Sequence, residues 1–201
     1  MVSSYPTICP ICSARFSGGL DRRRPKGLLT LNAADYSAVV TLRDGCRAEI
    51  RALKASDEAD FVAAVRRIGA PSLYNRFFGP KREFSAAEID FFVNVDFVTH
   101  VALVAAVDEG GRSAIVGGGR YVVVQPGTAE LAFAIVDEYQ GRGVGTALMC
   151  HLIVLARNAG LTELAADVLA DNTAMMTVFQ RSGLRRSTAR RGRFVRVTLS
   201  L

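Results

Sequence analysis

The chain of 201 residues has no tryptophan, two histidines and only three lysines (Lys26, Lys54, Lys81) among its 25 cationic side chains. It also lacks long apolar runs. The longest, Val101 to Val107 and Leu131 to Val136, are seven and six residues, whereas a bilayer-spanning helix needs roughly 18 or more. An integral membrane protein is excluded on that ground. Cysteine is sparse too, at four residues: Cys9, Cys12, Cys46 and Cys150. Cys9-Pro-Ile-Cys12 has the spacing of half a zinc knuckle, but a structural site needs four ligands. Cys46, His100, Cys150 and His151 include no second pair at that spacing, so no metal site is expected. The first twenty residues are broken by Pro, Ser and Arg and lack the apolar core of a secretory signal. The expected compartment is the cytoplasm, where thiols stay reduced.

Half of the residues are hydrophobic and 22% are charged, which is ordinary globular composition. The net charge of +6 is uneven. Residues 1–48 carry +4, residues 185–201 carry +6 from six arginines and no acid, and the stretch between is −4. A nucleic-acid-binding body would carry a basic stripe on its folded surface, so basic ends around an acidic middle speak against that partner. The excess of Arg over Lys, with abundant Ala and Gly, suggests a GC-rich, bacterial coding sequence.

Residues 1–45 show no sustained periodicity and contain Gly18-Gly19, the cluster Arg22 to Gly27, and turn signals at Asn32 and Asp44-Gly45. They read as a basic N-terminal arm of unknown role, and residues 46–201 as the globular domain. Ala48 to Leu53 alternates as a strand. A helix follows from Ser56 to about Ile68 with Phe61, Val62, Val65 and Ile68 on one face, and Gly69-Ala70-Pro71 ends it. A second helix opens after Ser85, where Glu88 completes a capping box. Strands are expected at His100 to Val107, Ala114 to Val124 and Ala129 to Val136, then a helix over Gly143 to Asn158 with Val144, Leu148, Leu152 and Leu155 as its stripe. Glu163 to Leu169 is a strand, Asn172 to Arg181 a helix, and Leu184 to Thr188 with Phe194 to Leu199 a hairpin. The order β-α-α-β-β-β-α-β-α-β-β describes an α/β sandwich: a mixed, mostly antiparallel sheet flanked by helices. Gly117-Gly118-Gly119 falls inside strand pattern, which points to a bulge or a close backbone approach.

Chemistry concentrates in Glu130 to Leu148, where a strand runs into Gln140-Gly-Arg-Gly-Val-Gly-Thr146 and then a helix. Glycines at 141, 143 and 145 let successive backbone N–H groups converge on one concavity, at the unsatisfied, positive end of the helix. That is an anion seat suited to a phosphate or pyrophosphate. A tight turn without a ligand remains open. A dinucleotide-binding turn would need glycine where Thr146 stands, and a P-loop would need Gly-Lys-Ser/Thr.

Gln140-x-x-Gly143-x-Gly145 resembles the coenzyme A pyrophosphate loop of the GNAT superfamily of acyl-CoA-dependent N-acetyltransferases. Asn172 to Leu184, an Asn opening a helix that ends at Gly183-Leu184, resembles that family's second motif. With the order of elements, the resemblance spans roughly Cys46 to Leu201. The resemblance implies that the amides of Gln140, Gly141, Arg142, Gly143, Val144, Gly145 and Thr146 hold the pyrophosphate of acetyl-CoA, the co-substrate. It implies that the backbone of Ile135 and Val136 pairs with the pantetheine arm, and that the Ala134 N–H polarises the thioester carbonyl. Asn172 would touch the pantetheine or fix its helix start. Glu130, in the pattern Glu-Leu-Ala-Phe, would be the general base that takes a proton from an incoming primary ammonium. Asp137 and Glu138 read as a solvated pair at the loop entry. Where many members have a tyrosine to protonate the thiolate, this chain has Phe179. Asn172-Thr-Ala-Met175 and Ser72 to Lys81 are similar to the bacterial Pat-type protein lysine acetyltransferases, so a protein lysine is the favoured acceptor. The alternatives are a small amine, or a non-catalytic acyl-CoA-binding sensor module.

Overall fold

The computed structural model describes residues 31–81 and 83–201. Cys9, Cys12 and the cluster around Arg22 lie outside them. The sheet has eight strands: β1 (Ser37–Thr41), β2 (Arg47–Ala52), β3 (His100–Asp108), β4 (Ser113–Gln125), β5 (Thr128–Ile135), β6 (Glu163–Leu169), β7 (Arg185–Arg191) and β8 (Phe194–Ser200). Their spatial order is β1-β2-β3-β4-β5-β6-β8-β7, antiparallel throughout except for the β5–β6 pair. The helices are α1 (Glu58–Arg66), α2 (Ala70–Phe77), α3 (Ala86–Val93), α4 (Val144–Asn158) and α5 (Thr173–Arg181). Among the described residues no helix is long and apolar enough to cross a membrane.

Two elements depart from the expected order. The sheet starts ahead of the boundary drawn at Cys46, because β1 pairs with β2 from Ser37↔Arg51 to Thr41↔Arg47. Tyr36, Val40 and Leu42 are buried in the core. The strand is five residues long and bounded by turn signals, too little alternation to stand out from a tail. The other departure is α2, which starts where Gly69-Ala70-Pro71 was read as a helix end. Gly69 is extended (φ −67°, ψ 157°) and acts as N-cap, and Pro71 sits in the first turn, where its missing N–H costs nothing. The same residues therefore stop α1 and start α2. The capping box at Ser85 and Glu88 forms as expected.

Helix α4 crosses one face of the sheet and buries Val144, Leu148, Leu152 and Leu155 with Leu103, Tyr121 and Phe133. Helices α1 to α3 cover the other face, where Leu53, Ile68, Leu73 and Val104 form a second core. With both faces covered, β3 is buried from His100 to Val107. The glycine triplet of β4 explains how β5 and α4 come so close. The pairing shifts at Ala105/Ala106, a bulge. A Cβ on Gly117 would lie 2.6 Å from Ile135 Cδ1, and one on Gly119 2.8 Å from the Phe133 ring.

Candidate active site

The site begins where the sheet comes apart. Strand β5 pairs with β6 only over Thr128↔Glu163, Ala129↔Leu164 and Glu130↔Ala165. Beyond Glu130, β6 stays with β8, and the flank of β5 from Leu131 to Ile135 faces an opening. Backbone groups alternate along a strand, so every second residue addresses that opening. Gly127 O accepts from Glu163 N on the β6 side, and Ile135 O accepts from the Gln140 side chain. Residues 131, 133 and 135 therefore address the gap. The even residues turn to β4. Val136 N donates to Val116 O at 3.0 Å, and Ala134 O lies 3.4 Å from where a Gly117 Cβ would be. This corrects two expected roles. The Ala134 and Val136 amides face β4, and the amides open to a ligand in the gap are those of Phe133 and Ile135.

The glycine loop follows a single helical turn at Asp137–Tyr139. Gly141 (φ 74°) and Gly143 (φ 99°) are left-handed, and Gly143 is the N-cap of α4. A side chain at either would strain the turn. Gly145 serves packing instead: it lies inside α4, where a Cβ would be 3.3 Å from Val178 Cγ2 of α5. Among the described residues, the N–H groups of Gly141 through Thr146 find no protein acceptor in hydrogen-bonding geometry. They form an array of donors at the positive end of a 15-residue helix. The Gln140 amide does not join them, since it donates to Asp137 O at 3.1 Å. Its side chain instead ties the loop to α2 and β5, donating to Ser72 Oγ, Ile135 O and Asp137 Oδ1.

Asp137 and Glu138 are exposed at the loop entry, as expected, and they also brace the loop. Asp137 also accepts from Ser72 Oγ at 2.8 Å, and Glu138 accepts from Arg67. Arg67 forks onto Glu109 as well, which in turn accepts from the Tyr139 hydroxyl at 2.8 Å. These carboxylates raise the pKa of Arg67 well above its usual value. The loop has a second brace that sequence reasoning missed, the β1–β2 turn. Arg43 N donates to Arg142 O at 3.0 Å, the Arg43 side chain runs along Gly143, and Arg142 pairs with Asp44 at 3.2 Å. The only signal in the sequence was Asp44-Gly45, which announces a turn but not what the turn touches.

One cavity of about 530 Å³ runs from this loop to Glu130 and also meets Asn172, Met175 and Phe179. Asn172 caps α5, its Oδ1 accepting from Met175 N at 3.1 Å, which is the helix-start role of the two expected. Phe179 is fully buried and has no proton to give. Phe78 lines the cavity and packs edge-on against Phe194, while Phe77 belongs to an aromatic cluster with Phe84 and Phe92. The Glu130 side chain is 48% exposed, and its Oε1 accepts from Arg196 Nη1 at 2.8 Å. The same Nη1 donates to Asp167 Oδ2 at 2.8 Å. Arg196 thus belongs to the site, not to the solvent face of the last hairpin where its spacing put it. In a sheet covered on both faces, the residues alternating with Val195 and Val197 still face protein. Burial lowers the Arg196 pKa, but Glu130 and Asp167 outweigh that and raise it.

Residues 70–184 match the acetyltransferase (GNAT) family. An acetyltransferase of Pseudomonas aeruginosa is 35% identical over 138 residues, which cover 68% of this chain and 74% of that protein. The acetyltransferase Pat of Mycolicibacterium smegmatis is 35% identical over 114 residues, 56% of this chain and 33% of that longer protein. The crystal structure of the GNAT domain of S. lividans PAT superposes with a TM-score of 0.75 at 33% identity, covering 82% of this chain and 97% of that one. The chain belongs to the GNAT family and is an acetyl-CoA-dependent N-acetyltransferase. Its relatives at moderate identity include Pat-type acetyltransferases.

Proposed function

We propose that the protein transfers an acetyl group from acetyl-CoA to a primary amine by direct attack, with Glu130 as general base. The observation that carries this reading is that Glu130 and the free amides of Gly141 to Thr146 open into the same cavity. Acetyl-CoA fits the donors present: the loop amides suit its diphosphate, and the free flank of β5 suits an extended arm. A primary ammonium of ordinary pKa, about 10.4 for a lysine, must lose a proton before it can attack. Glu130 is placed to take that proton. The amine nitrogen then bonds to the thioester carbonyl carbon, and the oxyanion formed is met by the Phe133 N–H, the groove-facing amide nearest Glu130 after Leu131. The carbon–sulfur bond breaks, and the second proton on the nitrogen passes through water to the departing thiolate, because Phe179 supplies none.

Arg196 Nη1 bridges Glu130 and Asp167, so it orients the base, and the incoming amine approaches Glu130 from the cavity side. A protein lysine acceptor is supported by the Pat-like stretches Asn172 to Met175 and Ser72 to Lys81. A small-amine acceptor is favoured by a different observation, the charge on the cavity wall, taken up below. The base assignment is tested with Glu130→Gln. Turnover is expected to drop 10²- to 10⁴-fold, the usual worth of a positioned base, while calorimetry finds acetyl-CoA affinity unchanged. Wild-type turnover in that variant at neutral pH would remove Glu130 from the role.

A further inference from the structure

Four arginines line the cavity, Arg43, Arg76, Arg120 and Arg181, and none meets a carboxylate among the described residues. Arg43 and Arg181 are exposed to solvent, whereas Arg76 and Arg120 are half-buried. Arg120 comes from β4, opposite Ala132 of β5, and Val122 is opposite Glu130. Arg120 is therefore a diagonal neighbour of Glu130 on the same face of the sheet, about 7–8 Å away. Its Nη1 donates to Phe92 O at 3.2 Å and to His100 Nε2 at 3.0 Å, and its guanidinium lies over the Phe92 ring. All of these are neutral partners. Arg76, on α2 one turn beyond Ser72, lies over the Phe77 ring and makes no hydrogen bond or ion pair among the described residues. Both also border a 60 Å³ apolar chamber lined with phenylalanines, a poor place for a counter-ion, while the large cavity they share has room for one. Burial brings the Arg120 pKa down to about 9, helped by the charge of Arg76, and burial lowers that of Arg76 as well. His100 cannot share this charge burden. Burial and then Arg120 push its pKa down to about 4, so it is a neutral acceptor at physiological pH.

A half-buried guanidinium with no counter-ion is unfavourable, and the charge of Arg76 acts against that of Arg120. Around the site the half-buried Arg67 and Arg196 are answered with acid, by Glu109 and by Asp167. A lysine side chain entering toward Glu130 brings only methylenes and a further positive charge past Arg76 and Arg120. An amine that carries its own anion brings the missing partner.

We propose that Arg76 and Arg120 form an anion subsite for the acceptor, and that the acceptor is a small amino-carboxylate, held by its carboxylate while its amine faces Glu130. Arginine suits this because its planar fork binds a carboxylate bidentately. The inference rests on the reading of Glu130 as the base and of this cavity as the acceptor site.

The test is acetyl-CoA turnover on matched pairs: amino acids as free acids and as their methyl esters, with calorimetric titration of the same compounds into the protein saturated with CoA. The free acids are expected to exceed their esters at least tenfold in kcat/KM and to bind where the esters do not. Arg76→Gln, which breaks no hydrogen bond, and Arg120→Gln are expected to abolish that preference without lowering acetyl-CoA affinity, and Arg120→Lys to restore part of it. Equal use of acids and esters, or no binding of either, overturns the proposal. So does a preference confined to lysine peptides with acidic neighbours. Faster transfer from succinyl-CoA than from acetyl-CoA, lost in Arg120→Gln, would assign the subsite to the acyl chain and likewise overturn the acceptor assignment. Failure of the base reading has a different signature: acids still bind and discriminate, yet Glu130→Gln turns them over at the wild-type rate.

Discussion

At the scale of single residues, the three loop glycines look alike in sequence and do different work. Gly141 and Gly143 supply left-handed backbone, while Gly145 supplies a close approach to α5. A side chain at Gly143 meets a left-handed conformation that costs about 1–2 kcal/mol for other residues, although its Cβ would make only ordinary contact with Arg43. Gly143→Ala is expected to weaken acetyl-CoA binding roughly tenfold, the factor that 1.4 kcal/mol represents, while the far-ultraviolet circular dichroism is unchanged. Calorimetry with CoA reads this directly, and an unaltered affinity would mean that the turn does not seat the diphosphate. Glu130 was singled out because Glu-Leu-Ala-Phe fits a family pattern, and it does line the cavity. Its partner Arg196 was not, since nothing local in β8 shows that one of six arginines faces inward. The roles given to Ala134 and Val136 slipped by one position for a related reason. Alternation tells which residues share a side of the strand, but which side faces the gap depends on how β5 registers with β4.

At the scale of elements, the long helix after the loop was the most legible feature. Its stripe of Val144, Leu148, Leu152 and Leu155 is buried as the period of 3.6 predicts. Leu152 touches both the strand core and the glycine triplet, where it lies 3.1 Å from a Cβ placed on Gly119. Leu152→Ala is expected to destabilise the protein by about 2–5 kcal/mol, the range for a leucine removed from a packed core, as measured by urea unfolding. Because α4 carries the loop donors at its first turn, the same substitution should leave CoA affinity near wild type wherever the protein remains folded. Short elements were legible only in part. β1 and α2 have five and eight residues, and each is held by distant partners rather than by its own pattern. β1 needs β2, and α2 needs the core formed by Ile68 and Leu73. Tertiary context decided both, and composition could not reveal it.

At the scale of the whole molecule, both histidines are buried. His100 is pushed to a pKa of about 4 by burial and by Arg120, and His151, hydrogen-bonded to the Tyr36 hydroxyl, to about 4 by burial. An unfolded histidine takes up its proton near pH 6.5, so between about pH 6.5 and 4 the unfolded chain binds more protons than the folded one. Stability therefore falls as the pH drops through that window, with a slope approaching about 1.4 kcal/mol per pH unit for each histidine. Unfolding free energies measured from pH 7 to 4.5 should show this loss, and His151→Gln should reduce the slope by about half. A flat profile would mean that the imidazoles protonate within the fold. The global charge pattern also takes on a sense. The arginines of β7 are exposed along its whole length, at the far edge of the sheet from β1, so the positive pole of the described chain lies on one border strand.

The separation of β5 from β6 divides the molecule mechanically. Five strands lie on one side and three on the other, joined across the sheet by three residue pairs at Thr128 to Glu130, over one face by the packing of α5 on α4, and over the other by Arg196 on Glu130 and Phe78 on Phe194. A long, flexible thioester lodged between the halves, as proposed, would touch both and act as a rivet through this seam, so that filling the wedge and stiffening the enzyme would be one event.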